Sequence, residues 1–409
     1  MQYLVFLLVN ILVATSNAFH SFARKRSQPF YKNVRQFQKQ KHIQRGVLTP
    51  IVTSSILSSK TQSTDETEGK SLFVPGRPTW QQTMLRITDP AKSLPFYTEI
   101  MGMTLIDKFD FPQYDFSLYF LTTLPEKERN NYKLVPGTQE AHDYLWSMEG
   151  TTLELTHNYG TEKVKDSNTK VYHAGNEERD GFGHIAFSCD DVYQATDMLI
   201  DKKVSFKKKP DEGRMKGLAF AYDPDGYWVE LVQRPTSTLS SKQIKNMFNL
   251  SQTMLRVKDP KKSLKFYQNL GMTLLCERHF DDFSLYYLAS DLEQISYPIE
   301  DSKSDIAKDN AYSKFGPLLE LTHNHGTESK ENNFEGYYNG NEDGKQGFGH
   351  IGFLVDDVYK ACDSIREMGY GFRKVRIKLK CYIMFILSLL CINRLYYEFK
   401  YFRNLMVDL

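Results

Sequence analysis

The stretch Thr152-Leu-Glu-Leu-Thr-His-Asn158 decides the fold, because it returns almost letter for letter as Leu318-Leu-Glu-Leu-Thr-His-Asn324. Apolar and polar residues alternate in each copy, which is typical of a half-buried β-strand. Leu153 and Leu155 are therefore predicted to face one side of a sheet, while Glu154 points out of the other side. In a lone strand such a glutamate is most simply a solvated side chain. Its return in a second copy predicts a repeated site instead.

Three further stretches are copied in the same order along the chain. They are Gln82-Thr-Met-Leu-Arg86 with Gln252-Thr-Met-Leu-Arg256, Asp115-Phe-Ser-Leu-Tyr119 with Asp282-Phe-Ser-Leu-Tyr286, and Gly181-Phe-Gly-His184 with Gly347-Phe-Gly-His350. Self-similarity at a nearly fixed spacing indicates the tandem duplication of a domain. We predict domain 1 at residues 79–235, a linker at residues 236–250 and a truncated domain 2 at residues 251–376.

Length and composition predict a globular chain with room for two domains. The 409 residues are 41% hydrophobic and 25% charged, and the formal net charge is only +2. Because that charge is small, we expect no nucleic-acid partner. The five cysteines are odd in number and are never spaced as Cys-x-x-Cys, which argues against a disulfide framework or a thiolate zinc site.

The N-terminus is predicted to be a targeting leader. Residues 1–18 are typical of a signal peptide, because the apolar run from Tyr3 to Ala14 is followed by small residues at Ser16-Asn-Ala18. Residues 19–75 form a basic arm, rich in Ser and Thr and without an acidic residue before Asp65, as in an organellar transit peptide. This order resembles the bipartite leader of plastid proteins in algae with secondary plastids. We therefore expect plastid localisation, with the secretory pathway or the mitochondrion as alternatives.

Each half of a domain is predicted to run strand, helix and then three strands, which makes the fold class α+β. Asp89-Pro90 should begin the first helix, because an aspartate accepts bonds from free helix amides and a proline fits the first turn. Strands are expected at residues 82–87, 103–109, 116–121, 152–156, 183–188, 204–207, 218–222 and 227–232, with a second helix at residues 190–202. Four such units are expected, the fourth of them incomplete.

Side chains that commonly ligate metal ions open and close these units. Gln82 and Glu154 do so in the first unit, His184 and Glu230 in the second, and Gln252 and Glu320 in the third, while His350 opens the fourth. Taken singly, each histidine is more simply a hydrogen-bonded core residue. Taken together, Gln, Glu, His and Glu form a nitrogen and oxygen ligand set that suits an octahedral divalent ion such as Zn, Ni, Co or Mn.

The copied motifs resemble those of glyoxalase I, the lactoylglutathione lyase family of the vicinal oxygen chelate superfamily. Two further stretches share this resemblance, Lys216-Gly-Leu-Ala-Phe220 and Asp223-Pro-Asp-Gly-Tyr-Trp-Val-Glu230. The resemblance extends from about Thr79 to Lys374. The resemblance implies tandem glyoxalase-like domains built from βαβββ units, with two metal sites in one chain. It implies a complete metal site from Gln252, Glu320, His184 and Glu230, and an incomplete one from Gln82, Glu154 and His350. The long loop before Glu154 resembles that of the zinc-using type, so we expect zinc rather than nickel. Since both sites lie within one chain, a monomer is expected.

The resemblance also implies the reaction. The substrate would be the hemithioacetal of methylglyoxal and glutathione, isomerised to S-lactoylglutathione by metal-assisted proton transfer through an enediolate. Glu230 is the expected base, with Glu320 as a ligand and a second base. Glutathione is the co-substrate, and the residues expected to bind it are Arg256, Asn324, Lys208, Met215, Arg86, Asn158 and Lys374. Arg179 is added because Asp180 stands where the family often has arginine, and Asp180 could repel a glutathione carboxylate.

The family pattern stops after Phe372-Arg-Lys374. Residues 377–409 form a divergent hydrophobic tail, for which we favour a gene-model or splicing artefact. The apolar run from Cys381 to Ile392 is too short to span a membrane, so no stable membrane association is expected. Leu379 to Ile392 also contains no Asp or Glu, so the carboxylate that should close the fourth unit is missing.

Two rival functions stay open at this point. An extradiol dioxygenase of similar fold would need two histidines and one carboxylate, but Gln252 stands where one histidine would be. The stronger alternative is a catalytically weak protein that binds a metal and a glutathione conjugate, since one of its two sites is damaged.

Overall fold

The structure is a computed structural model that describes residues 74–75, 78–164, 170–235, 248–290 and 301–372, together with the backbone of Phe385–Leu387. Residues 1–73 of the predicted leader, residues 236–247 of the predicted linker, Lys374, and the predicted tail apart from Phe385–Leu387 lie outside the described residues. Within the described part of the chain, no helix is long and apolar enough to cross a membrane.

Two β-sheets carry the fold. The strands are β1 (Thr79–Ile87), β2 (Thr104–Phe111), β3 (Phe116–Thr122), β4 (Thr152–Asn158), β5 (Phe182–Cys189), β6 (Phe206–Lys208), β7 (Ala219–Tyr222), β8 (Trp228–Gln233), β9 (Asn249–Arg256), β10 (Thr273–His279), β11 (Phe283–Ala289), β12 (Leu318–Asn324), β13 (Phe348–Leu354) and β14 (Phe385–Leu387). One sheet has the order β14-β13-β1-β4-β3-β2 and the other the order β10-β11-β12-β9-β5-β8-β7-β6. Each sheet therefore combines strands from both halves of the chain.

The exchange of strands between halves follows from two pairings. Strand β9 pairs antiparallel with β5 and parallel with β12, and β1 makes the same two kinds of pairing with β13 and β4. The two sheets also contact each other where the Thr83 and Thr253 hydroxyls lie 2.8 Å apart, at equivalent positions of β1 and β9. The copied motifs thus meet across the two domains rather than within one of them.

Four of the helices begin in the same way, with an aspartate cap. The helices are α1 (Pro90–Pro95, continued by a π-helical turn at Phe96–Ile100), α2 (Glu126–Asn131), α3 (Gln139–Leu145), α4 (Val192–Asp201), α5 (Pro260–Asn269), α6 (Asp305–Ser313) and α7 (Val358–Glu367). Asp191 accepts bonds from the amides of Tyr193 and Gln194, and Asp89 and Asp259 cap the helices that begin with proline. Such caps satisfy backbone donors that the first helical turn leaves free.

The predicted α+β class is confirmed, but two expectations about burial and loops were wrong. Strand β4, expected to be half-buried, is covered on both faces, and Glu154 is only 2% exposed. The region before Glu154, expected to be a long loop, contains α2 and α3, and its copy contains α6. Side chains from α3 and α6 pack with β2, β3, β10 and β11 in two apolar clusters that cover the face carrying the glutamates.

Loops from the two halves cross closely beside the Gly-Phe-Gly-His stretches. His173 bridges to Gly347, and a Cβ atom on Gly347 would lie 1.9 Å from the His173 carbonyl oxygen. Because that oxygen belongs to the backbone, it could not move away, so only glycine fits at this position. The first glycine of the motif is thus required by the crossing of the two halves.

Candidate active site

Four predicted ligands meet in the larger sheet. His184 lies on β5, Glu230 on β8, Gln252 on β9 and Glu320 on β12, which are consecutive neighbours in the order β12-β9-β5-β8. The Gln252 Nε2 atom donates to Glu230 Oε2 at 3.0 Å and to Glu320 Oε2 at 2.8 Å. His184 Nε2 lies 3.0 Å from the same Glu230 oxygen and 3.8 Å from that of Glu320. We call this group the central site.

The donor set of the central site fits a divalent metal ion. One ligand atom each from His184, Glu230 and Glu320 lies within 4.8 Å of the others, which one small cation could bridge. The four side chains, Gln252 included, are between 2% and 6% exposed. Gln252 Oε1 is buried and has no hydrogen-bond partner among the described residues. Since a buried polar atom without a partner is costly, this oxygen is where a hard or borderline cation would be expected.

Burial and mutual repulsion shift the proton affinities in the central site. Burial, with the nearby Glu230 charge adding to it, raises the pKa of Glu320 to about 7. Burial alone would lower the pKa of His184, but the Glu230 carboxylate outweighs it and the pKa of His184 is raised. Glu320 and His184 therefore bind protons more readily than usual, and a bound cation would displace those protons.

Three equivalent residues meet in the smaller sheet, in what we call the outer site. Gln82 lies on β1, Glu154 on β4 and His350 on β13. The Gln82 amide donates to Glu154, its Nε2 lies 2.9 Å from His350 Nε2, and His350 Nε2 lies 3.4 Å from Glu154 Oε2. Gln82 Oε1 is buried without a hydrogen-bond partner in the described part of the chain, as is its counterpart Gln252 Oε1.

The fourth position of the outer site differs. In the larger sheet β8 pairs parallel with β5 and sets Glu230 opposite Ala186. In the smaller sheet β14 occupies the equivalent edge, but it pairs antiparallel with β13 and sets Ile386 opposite Gly352. The edge is thus paired, and the register position that corresponds to Glu230 holds isoleucine.

Two predicted substrate-binding arginines lie beside these sites and are held by asparagines that the sequence reasoning missed. Arg256 donates to Asn176 Oδ1 at 2.8 Å, and Arg86 donates to Asn341 Oδ1 at 2.9 Å. Both asparagines follow glycine and precede glutamate in the copied loops before the Gly-Phe-Gly-His stretches, and this repeated Gly-Asn-Glu was the available signal. Asn176 also has a positive φ of 68°, a conformation in which asparagine is favoured over most residues.

The remaining predicted substrate-binding residues have varied surroundings. Asn324 and Asn158 donate to the hydroxyls of Tyr337 and Tyr172 at the ends of their strands. Lys208 donates to the Leu218 carbonyl at 2.6 Å. Met215 is exposed, and Lys374 lies outside the described residues.

Arg179 and Asp180 both take part in contacts with domain 2 or with neighbouring charges. Arg179 donates to Glu335 Oε2 at 2.7 Å and to the Gly336 carbonyl at 3.0 Å, so two of its donors are engaged by domain 2. Asp180 is buried and lies 2.6 Å from His173 Nε2 and 3.7 Å from Lys345 Nζ. Because its charge is compensated locally, Asp180 offers little repulsion to a glutathione carboxylate.

The fold defines a tandem α+β protein with two ligand sets, one of four residues and one of three, that could each hold a divalent metal ion. The chain belongs to the Glyoxalase/Bleomycin resistance protein/Dioxygenase superfamily, whose model matches residues 79–231 and again residues 249–381. It is 41% identical over 295 residues to a lactoylglutathione lyase of Schizosaccharomyces pombe, covering 71% of this chain and 86% of that one. It is 40% identical over 294 residues to glyoxalase I of Saccharomyces cerevisiae, covering 71% and 81%. A probable chloroplastic lactoylglutathione lyase of Arabidopsis thaliana is 32% identical over 288 residues, covering 69% and 61%.

Proposed function

We propose that this chain is a lactoylglutathione lyase that isomerises the hemithioacetal of methylglyoxal and glutathione to S-lactoylglutathione. The observation that carries the proposal is the meeting of His184, Glu230, Gln252 and Glu320 in one buried group. It is supported by identities of about 40% to a lactoylglutathione lyase and to a glyoxalase I that the chain covers over most of their length.

The residues of the central site divide the chemistry between them. His184, Gln252 and Glu320 would hold the metal ion, with Glu230 completing the set. When bound, that ion supplies Lewis-acid stabilisation of the negative charge that develops on the two adjacent substrate oxygens. Glu230 would take the proton from the carbon that carries sulfur and return it to the neighbouring carbon, while the hydroxyl proton passes from the oxygen of the first carbon to that of the second, which leaves a thioester and a hydroxyl group. Glu320 lies on the opposite side of Gln252 and is the candidate for a second base.

Glutathione would bind toward the ends of β9 and β12. Arg256 and Asn324 are the last residues of those strands, and Arg256 is oriented by Asn176. An oriented guanidinium suits a carboxylate, because its planar donors can form two parallel bonds. Lys208 and the Met215 backbone would contact the substrate from the other half of the chain.

Three finer proposals accompany the reaction. We favour zinc over nickel, because the segment before Glu154 resembles the zinc-using type. A monomer is proposed because both sites are assembled within one chain. Plastid localisation is proposed from the leader-like residues 1–75, and the name of the Arabidopsis relative, which calls that protein chloroplastic, is consistent with it.

The test is formation of thioester absorbance by purified full-length protein given methylglyoxal and glutathione. Turnover should disappear after chelation and return on adding zinc, with nickel as the competing arm. A protein that binds S-lactoylglutathione in calorimetry but forms no thioester with either metal would be the catalytically weak binder instead. An equal rate with and without chelator would contradict the metal assignment.

A further inference from the structure

Two tyrosines form a polar wall beside the central carboxylates. Tyr287 on β11 is the antiparallel partner of Glu320 on β12, so both side chains leave the same face of the sheet. The Tyr312 hydroxyl, at the end of α6, donates to the Tyr287 hydroxyl at 2.9 Å. Tyr287 is buried, and the two rings lie 5.6 Å apart. We call this pair the tyrosine wall.

The tyrosine wall lies away from the residues proposed to bind glutathione. Tyr312 belongs to the apolar cluster that includes Leu318 at the start of β12, whereas Asn324 ends that strand. Glu320 stands between them, and Asn324 is four positions further along the strand, about 13 Å away. Since the glutathione part of a hemithioacetal would extend toward Asn324, the substituent on its other carbon would face the wall.

An equivalent aromatic pair without hydroxyl groups lies beside the outer site. Phe120 on β3 is the strand partner of Glu154, as Tyr287 is of Glu320. Trp146 follows α3 and contacts the Phe120 ring edge to face at 5.7 Å, in the place that Tyr312 takes in the copy. The two aromatic pairs therefore occupy equivalent positions, but only the tyrosine wall carries hydroxyl groups.

We propose that Tyr287 and Tyr312 determine specificity at the central site, favouring 2-oxoaldehydes whose side chain carries a hydroxyl over those with a plain methyl group. The inference rests on the proposed function and deepens it. Tyr287 accepts the Tyr312 proton and makes no other hydrogen bond within the described residues, so its own O–H group can donate to the substrate. A methyl group would leave that buried donor without a partner, which is the kind of mismatch that polar sites reject.

The test compares the hemithioacetals of hydroxymethylglyoxal and methylglyoxal. The ratio of their kcat/KM values should fall about fivefold in Tyr287→Phe, the effect of one hydrogen bond of ordinary net strength. Tyr312→Phe should lower the ratio less, because Tyr287 keeps its own hydroxyl. The matched control is Tyr286→Phe, since Tyr286 immediately precedes Tyr287 on β11 and faces the opposite side, against His279.

The outcomes separate this inference from the proposed function. If Tyr287→Phe and Tyr312→Phe both convert methylglyoxal with an unchanged ratio, the specificity role is overturned while the lyase function stands. A fall of the ratio in Tyr286→Phe equal to that in Tyr287→Phe would also overturn it, because the effect would not belong to the wall. If the parent protein converts neither hemithioacetal, the proposed function fails and this inference fails with it.

Discussion

Replacing Glu230 by glutamine tests the central site most directly. The change keeps the size of the side chain but removes its charge and its ability to take a proton. Glu230 Oε2 lies 3.0 Å from both His184 Nε2 and Gln252 Nε2, and the residue is 6% exposed. Few solvent molecules can therefore reach this point to act in its place.

The expected loss of kcat is large and has two separable sources. Loss of general-base catalysis alone accounts for about 10²- to 10⁴-fold. The site also keeps only one of its two carboxylates, so metal affinity should fall as well. Stability should change little, because Glu230→Gln removes one of two neighbouring buried carboxylates rather than leaving one charge unpaired.

The assay is thioester formation at saturating zinc, with metal content and thermal unfolding measured on the same samples. The matched control is Glu154→Gln in the outer site, which should retain nearly all the turnover of the parent. If Glu230→Gln keeps most of its rate while fully metal-loaded, the base is another residue. If Glu154→Gln is the variant that fails, the assignment of the active pair of units is wrong.

Three further outcomes are expected. Elemental analysis of dialysed full-length protein should find one tightly bound ion per chain, because the outer site lacks a second carboxylate. Two bound ions, together with loss of half the turnover in Glu154→Gln, would show that another residue completes the outer site. Asn176→Ala should raise KM several-fold with little change in kcat, because the amide orients Arg256 at 2.8 Å, and a loss confined to kcat would contradict this role. Metal affinity of the central site should fall by at least about tenfold per pH unit below pH 7. Burial beside Glu230 raises the pKa of Glu320 to about 7, the pKa of His184 is raised as well, and both groups must lose their protons before the metal binds. Chelator competition at pH 6 and pH 8 giving equal affinities would refute this.

The sequence was sufficient to group the ligands, because each copy repeats a residue type at a fixed place on a strand. Alternation along β4 set the direction of Glu154, and its copy on β12 set that of Glu320. Parallel and antiparallel pairing then brought these strands beside β1 and β9. The α+β class with two tandem domains is confirmed for the same reason.

The same alternation led to a wrong prediction of how exposed the polar residues of β4 are to solvent. A polar residue at every second position resembles a strand with one face in water. In the structure those polar positions share a face of the sheet with apolar clusters to which α3 and α6 contribute. Those helices were missed because α3 has only seven residues and α6 nine, too few to establish a helical period against a loop-like composition.

Arg179 shows why neighbouring residues in sequence cannot be exchanged freely. Arg179 has a positive φ of 65° and pairs with Glu335, whereas Asp180 pairs with His173. Two residues that are adjacent in sequence thus have different charged partners. Motif position alone does not show this, because it records spacing and not backbone conformation.

In the outer site the β-sheet is complete although the set of metal ligands is not. Strand β14 pairs with the free edge of β13 although its direction is opposite to that of β8. Backbone groups at an edge accept either direction, because every residue other than proline offers the same donor and acceptor. A ligand instead requires one side-chain type at one register position, where Glu230 faces Ala186 and Ile386 faces Gly352. The smaller sheet can thus retain its pairing while the outer site lacks a second carboxylate, so pairing of this sheet and silence of the outer site are compatible.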